Sequence, residues 1–345
     1  MSTGDRGLGT LPGAHEFAWR DGERMVRFAA GSLVDVVALL ERHGWRRFEL
    51  LTTRRALNGA PLELPRRALA AHEVAPGPVA EASAPIVDKV ITPTLVALGG
   101  GRVIDTAKAV AAVRGGRVAA IPTTLSGAEM TRLHRLPEGR EAPHLVRPGL
   151  VLADPLLMTG LDDGPLRASA MNSLAHGAEA LYGPGANPVA SIAALRGAGL
   201  IAGALGRGKE VRARGSLALG SLLCAYALDS AGFAVHHVVC QTLVAKLGLP
   251  HAETNAAMLP RTMELMHGRA PEAIAALGAA IGAEPGEVGA RIAILAGGPR
   301  RLAELGGERE RLGAALDAIL AREQLAATPD PPGRDELAAL LEEAW

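Results

Sequence analysis

The rhythm of apolar and polar positions changes once along this chain, close to residue 155. Before that point, short apolar runs bounded by Gly, Pro and polar clusters predict buried strands at Phe48–Leu51, Leu95–Leu98, Val118–Ile121 and Val151–Leu152. Glu16–Arg20 and Arg24–Ala29 flank Asp21-Gly22, which predicts a hairpin. Ser32 is expected to cap a helix with an apolar face of Leu33, Val36, Val37 and Leu40, ending before Gly44. Prolines 61, 65, 76, 78 and 85 break up residues 56–92, where one helix around Leu64–His72 is expected before a short connection. Residues 1 to about 14 are Gly-rich and aperiodic and read as a loose tail. Beyond Asp154 strand-like runs stop. Helical periodicity then predicts helices at roughly 165–182, 189–205, 212–228, 232–246, 252–267, 271–281, 286–296, 299–304, 308–321 and 334–344.

Strand Leu95–Leu98 runs straight into Gly99, Gly100 and Gly101, after which Val103, Ile104, Ala107, Val110 and Ala111 recur at helical spacing. A strand, a glycine turn and a helix leave backbone N–H groups and a positive dipole end facing a phosphate. Without Cβ atoms, a pyrophosphate can approach the main chain closely. The next strand ends in a loop carrying Thr123, Thr124 and Ser126, hydroxyls placed for a ribose or phosphate at the carboxyl end of a parallel strand. The fold class expected is therefore α/β plus all-α, with a dinucleotide-binding domain over 1–157 and a helical substrate or catalytic domain over 158–345.

Composition sharpens this only by exclusion. A length of 345 residues suits two domains, and 48% hydrophobic with 21% charged residues describes a globular chain with ample core. Acidic and basic residues balance, and no basic run interleaves with aromatics, so no nucleic-acid surface is expected. Cys224 and Cys240 sit in apolar helical contexts, which predicts free thiols in a reducing compartment. No signal-peptide pattern and no membrane-length apolar window are found, so the expected location is cytoplasmic.

Polar residues concentrate on two helical stretches of the second half. Asn172 and His176, four apart, share a helix face, with Glu179 three further on; His237 and His251 lie fourteen apart on successive elements. Imidazoles gathered beside two nucleotide loops are candidates for proton transfer or anion binding.

The stretches Gly99–Lys108 and Pro122–Glu129 resemble the nucleotide-binding loops of the iron-containing alcohol dehydrogenase superfamily. That resemblance implies a Rossmann-like domain followed by a helical one, a dehydroquinate synthase-like architecture. It implies NAD(P)H held by Gly99, Gly100, Gly101, Arg102, Asp105, Thr123, Thr124, Ser126 and Thr53. The superfamily places a divalent metal on an Asp, a His four residues later and two His fourteen apart. His176, His237 and His251 match three of these positions, but Asn172 stands at the fourth. A neutral amide removes the anion that offsets the ion's charge, so a metal is not expected. Residues 171–182, 186–189, 236–240 and 249–254 resemble the maleylacetate reductase branch, which generally works without metal and reduces a carbon–carbon double bond to give 3-oxoadipate. By this likeness His237, His251, His176 and Asn172 are the catalytic candidates, and a homodimer through the N-terminal hairpin is permitted.

Departures from the branch's usual pattern are Arg102, Ala128, Gln241, Asn255 and a shortened 61–93 segment. They keep two other readings open: an alcohol dehydrogenase acting on a secondary alcohol, and a catalytically silent nucleotide-binding partner. Thr52-Thr53-Arg54-Arg55 after the second strand carries no acid to repel a 2′-phosphate, which leans the expected cofactor towards NADPH or dual use.

Overall fold

In the computed structural model, residues 16–59, 61–208 and 210–345 are described, without the side chains of 16–21. The expected loose tail over 1 to about 14 lies outside them. Seven strands form one sheet: β1 (Glu16–Asp21), β2 (Arg24–Ala29), β3 (Glu49–Thr52), β4 (Ala71–Glu73), β5 (Thr94–Gly99), β6 (Arg117–Pro122) and β7 (Leu150–Ala153), in the order β1-β2-β7-β6-β5-β3-β4. Among the described residues only the β1–β2 hairpin is antiparallel, and every other pairing is parallel.

Alternation along the central strands divides the core between two faces. Leu95, Ala97, Val118 and Ala120 pack under helices Val79–Val87 and Gly101–Arg114. Val96, Leu98, Ala119 and Ile121 pack under Val36–Arg42 and Glu63–Arg67. With both faces covered, these strands read as continuous apolar runs. From β3 the chain steps outward to β4, then returns past β3 to β5 and continues through β6 to β7. The reversal lies between β3 and β5, and open α/β sheets bind ligands beyond the strand ends at such a point. Thr53 follows β3 and Gly100 follows β5, so the two expected cofactor segments flank it.

Two local expectations are corrected. Ser32 does not cap: it lies inside a short 3-10 turn, Ser32–Asp35, that leads into Val36–Arg42, and Gly31 at φ 70° holds the cap position. The helix expected around Leu64–His72 stops at Arg67, and Ala71–Glu73 pairs with β3 as an edge strand. Glu49 explains this. Fully buried at the start of β3, it accepts the N–H groups of Ile91 and Thr92 and meets His72 Nε2 at 2.6 Å, which holds 71–73 extended beside it.

After β7 the described residues form helices, the longest being Asp163–Ala180, Pro188–Ala204, Val211–Ala231, Val235–Leu247 and His251–His267. They share one core with Val26, Phe28, Val151 and Ala153 of the sheet. Among the described residues no single helix is long and apolar enough to cross a membrane; the pair Val211–Ala231 and Val235–Leu247 passes only jointly, bent by 101°.

Candidate active site

Gly99, Gly100 and Gly101 turn β5 into helix Gly101–Arg114, and no side chain caps that end of the helix. A Cβ on Gly100 would lie 3.0 Å from Thr124 Cγ2, and one on Gly101 would lie 3.0 Å from Ser126 Cβ. The glycines therefore let the second loop close against the first, besides leaving the main chain bare. Arg102, in the first turn, is exposed. An uncapped end of a 14-residue helix, flanked by threonines and a cation, fits a dinucleotide phosphate. Asp105 has an internal partner instead: it pairs with Lys108 Nζ at 2.7 Å. Lys108 is fully buried and also donates to the carbonyls of Ala128, Thr131 and Leu133, tying loop 128–133 to this helix. Thr53 likewise serves the fold, accepting Ala56 N–H as the cap of Arg54–Leu57. Arg54 pairs with Glu73 from β4, so an acid does stand beside the Arg54-Arg55 segment.

The second loop is fastened to the helical half. Leu125 N–H donates to Ser169 Oγ at 3.0 Å, and Ser173 Oγ donates to Leu125 O. Gly127 adopts φ 75°, and a Cβ there would lie 2.6 Å from Ala225 Cβ and 3.0 Å from His176 Nδ1. Both the conformation and the space require glycine. Helix Asp163–Ala180 is thereby pressed onto the nucleotide loops, and Asn172 Nδ2 donates to Ser126 O at 3.3 Å.

The imidazoles gather as expected, with a carboxylate among them. Glu179, fully buried, accepts the N–H groups of Ala234 (3.0 Å) and His237 (3.3 Å) on Oε1, and meets His237 Nδ1 with Oε2. It thus caps helix Val235–Leu247 and fixes the His237 ring together. Rings of His176 and His237 stack at 5.0 Å, and His236 stands edge-on to His237 at 5.2 Å. His236 bridges Thr262 Oγ1 and Asn255 Oδ1, each at 2.9 Å, and Asn255 Nδ2 donates to His251 O at 2.8 Å. Asn172 Oδ1, His176 Nδ1 and His237 Nε2 are buried without a hydrogen-bond partner.

Burial governs the protonation of this cluster. It pushes His237 down to about 3, with His251 and Arg322 adding to the shift, and His236 down to about 4. His176 is held well below the usual imidazole range, by burial first and His237 second. Burial also raises Glu179, to about 7, against the hydrogen bonds that favour its charged form. Burial therefore keeps unliganded His237 neutral, with Nδ1 engaged by Glu179 and Nε2 without a hydrogen-bond partner. His251 differs: surrounding protein lowers its pKa, yet its surface is open to water, as for a residue lining a cleft.

As arranged, the donor set does not fit a divalent ion. Asn172 is neutral and engaged with Ser126. The rings of His176 and His237 stack on one another, 19° from parallel. Among the described residues no three His, Cys, Asp or Glu side chains stand together as ligands.

Four residues outside the expected set shape the site. Glu179 was visible at i+3 from His176, and His236 in the His-His pair; Lys108 sat in the quoted helix start. Arg322 gave no signal, because it lies beyond Gly282, where only helical character is legible.

A doubly wound sheet with a glycine turn at its reversal point, joined to a helical half carrying a histidine cluster, defines a dinucleotide-dependent enzyme of the two-part dehydrogenase type. Residues 24–155 match the family described as iron-containing alcohol dehydrogenase, and residues 167–345 match its C-terminal part, Fe-containing alcohol dehydrogenase family, C-terminal. The chain belongs to the iron-containing alcohol dehydrogenase family and is an NAD(P)-dependent oxidoreductase. It is 38% identical to maleylacetate reductase 1 of Rhodococcus opacus over 261 residues, 73% of this chain and 72% of that one. It is 30% identical to a maleylacetate reductase of Pseudomonas sp. (strain P51) over 338 residues, 93% and 95% of the two chains. The crystal structure of maleylacetate reductase from Agrobacterium tumefaciens superposes with a TM-score of 0.83 at 29% identity, covering 95% of this chain and 97% of that one.

Proposed function

We propose that the protein is a maleylacetate reductase-like enzyme, using NAD(P)H to reduce a small carboxylated enoate or oxo compound without a metal. The observation that carries this reading is Asn172, an amide bonded to Ser126 O where the family's metal sites have an anionic ligand. Bound at Gly99–Arg102 with Thr123 and Thr124, the nicotinamide nucleotide supplies the hydride. The protein's own residues then hold the substrate and move a proton. His237 presents Nε2 to the substrate, and Glu179 stabilises the imidazolium that forms when Nε2 gains a proton. His251, which water reaches, replenishes that proton from solvent. Asn172 and His176, the latter stacked on His237, position the substrate.

Cofactor preference follows from β3 and β4 together. The Glu73 carboxylate beside Arg54 offsets part of the positive charge that favours a 2′-phosphate, so dual use of NADH and NADPH is the reading, with neither strongly preferred. The test of the function is direct: purified protein is supplied with maleylacetate and each reduced nucleotide, before and after dialysis against EDTA. Loss of nucleotide oxidation on chelation, restored by Fe²⁺ or Zn²⁺, would favour the alcohol dehydrogenase alternative.

A further inference from the structure

Helix Val235–Leu247 carries His237 and, one turn further on the same face, Gln241. Gln241 Oε1 accepts Arg322 Nη2 at 3.0 Å; the same guanidinium donates to Val238 O at 3.4 Å and to Gln324 Oε1 at 3.4 Å. Its carbon sits 5.9 Å from the centre of the Phe233 ring, which in turn lies 6.0 Å from the His237 ring. Every hydrogen-bond partner found for Arg322 is neutral. No ion pair links it to a carboxylate among the described residues, although it is only partly exposed. Another cation, Arg135, lowers the Arg322 pKa further after burial has done so. Both line a groove of about 480 Å³ with Gln241, Lys246, Glu323 and Gln324. Three cations against one acid leave this groove positive, at the end of the helix face that begins with the reacting histidine.

A partly buried guanidinium held in place by neutral acceptors, with no counter-ion, is arranged for an incoming planar anion. We infer that Arg322, with Arg135 beside it, is the carboxylate anchor of the substrate site, holding the far end of a dicarboxylate whose reacting carbons lie at His237. This rests on the reductase reading above and adds to it the residues that hold the substrate's far carboxylate. The spacing agrees: four residues rise about 6 Å along the axis, and three or four C–C bonds of ~1.5 Å together with the carboxylate's C–O bond span a similar distance. The anchor also touches the chemistry. Arg322 helps to keep His237 deprotonated in the free protein, so an anion seated on it relieves that opposition when a proton must be carried.

The test is a binding measurement on the full chain saturated with NADP⁺, comparing adipate with hexanoate, which has one carboxylate fewer. Wild type is expected to bind adipate about tenfold or more tighter, since a charged hydrogen bond contributes ~1.5–3 kcal/mol. Arg322→Gln should lose that preference while its affinity for hexanoate and NADP⁺ stays unchanged, and Arg322→Lys should recover part of it. Arg135→Gln, a change at an exposed residue, should weaken adipate several-fold with the fold intact. Equal affinity of wild type for the two acids, or an unchanged adipate preference in Arg322→Gln, would overturn the anchor; if Arg322→Gln does not fold, unchanged adipate binding in Arg135→Gln does so. Adipate binding needs no turnover, so the two claims separate. A wild type that prefers adipate but reduces no enoate sinks the reductase reading alone, and one that reduces maleylacetate while Arg322→Gln keeps its preference sinks the anchor alone.

Discussion

Glu179 meets His237 Nδ1 with one carboxylate oxygen and, with the other, accepts the main-chain N–H groups at the start of the helix that carries His237. One buried acid therefore fixes the ring's tautomer, its orientation and the backbone beneath it. The other ring nitrogen, Nε2, is buried without a hydrogen-bond partner.

Replacing Glu179 by Gln keeps an acceptor for the backbone but turns a donor towards Nδ1, which forces the ring proton onto Nε2. The expected result is a kcat lower by about 10²–10⁴-fold with little change in KM. Steady-state kinetics with nitrogen-15 NMR of the ring nitrogens checks both; an unchanged tautomer with unchanged kcat would contradict the role.

Reduction needs a protonated imidazole, and burial lowers both His237 and His251 below the ordinary value near 6.5. The rate of reduction should therefore rise steadily as pH falls from about 8 to 6.5, without levelling off in that range. Changing His251 to Gln should depress the rate and enlarge the solvent isotope effect, because resupply from water then limits turnover. A profile that levels off above neutral pH would mean that neither histidine is the donor.

Arg102 stands exposed at the uncapped helix end, so Arg102→Ala should weaken the cofactor about fivefold while changing stability by no more than about 0.5 kcal/mol. Gly100→Val is the blunter test, since its Cβ alone would press on Thr124 and the fold would change with the site. Unaltered nucleotide affinity in Arg102→Ala would place the phosphate elsewhere.

Glu129 is fully buried, and neither of its carboxylate oxygens has a hydrogen-bond partner. Burial raises its pKa from 4.5 to about 7, against the pull of Lys108 and Arg24. The folded protein thus holds a proton that the unfolded chain has released, so this stabilisation is full below 4.5 and is lost as pH rises through about 7. Wild type should lose roughly 1 kcal/mol more than Glu129→Gln between pH 6 and 8, measured by urea unfolding. Parallel pH curves for the two proteins would show that Glu129 is already ionised.

The sheet and the helical half were legible because burial on both faces writes continuous apolar runs, and core helices write a 3.6-residue period. β4 was not: Ala71–Glu73 is short, exposed at the edge, and held by a long-range contact from Glu49 that no local pattern encodes. The same distinction runs through the site. The glycine turn, the threonine loop and the histidines announce themselves by residue type and spacing. Roles that depend on folding did not: Glu179 reads in sequence only as a helix neighbour of His176, and only the meeting of two helices makes it the partner of His237. Asp105 and Thr53 err the other way, matching a nucleotide loop in sequence while engaged with Lys108 and Ala56 in the fold.

With Asn172 where an anionic metal ligand would stand, the site is expected to reduce a carboxylated enoate with nucleotide hydride and protein protons alone. Metal content and NAD(P)H oxidation with maleylacetate, measured on one preparation before and after EDTA, test it together. The expected result is well under one equivalent of metal and a rate that survives chelation. Stoichiometric Fe²⁺ or Zn²⁺, with a rate abolished by EDTA and restored by the ion, would contradict it.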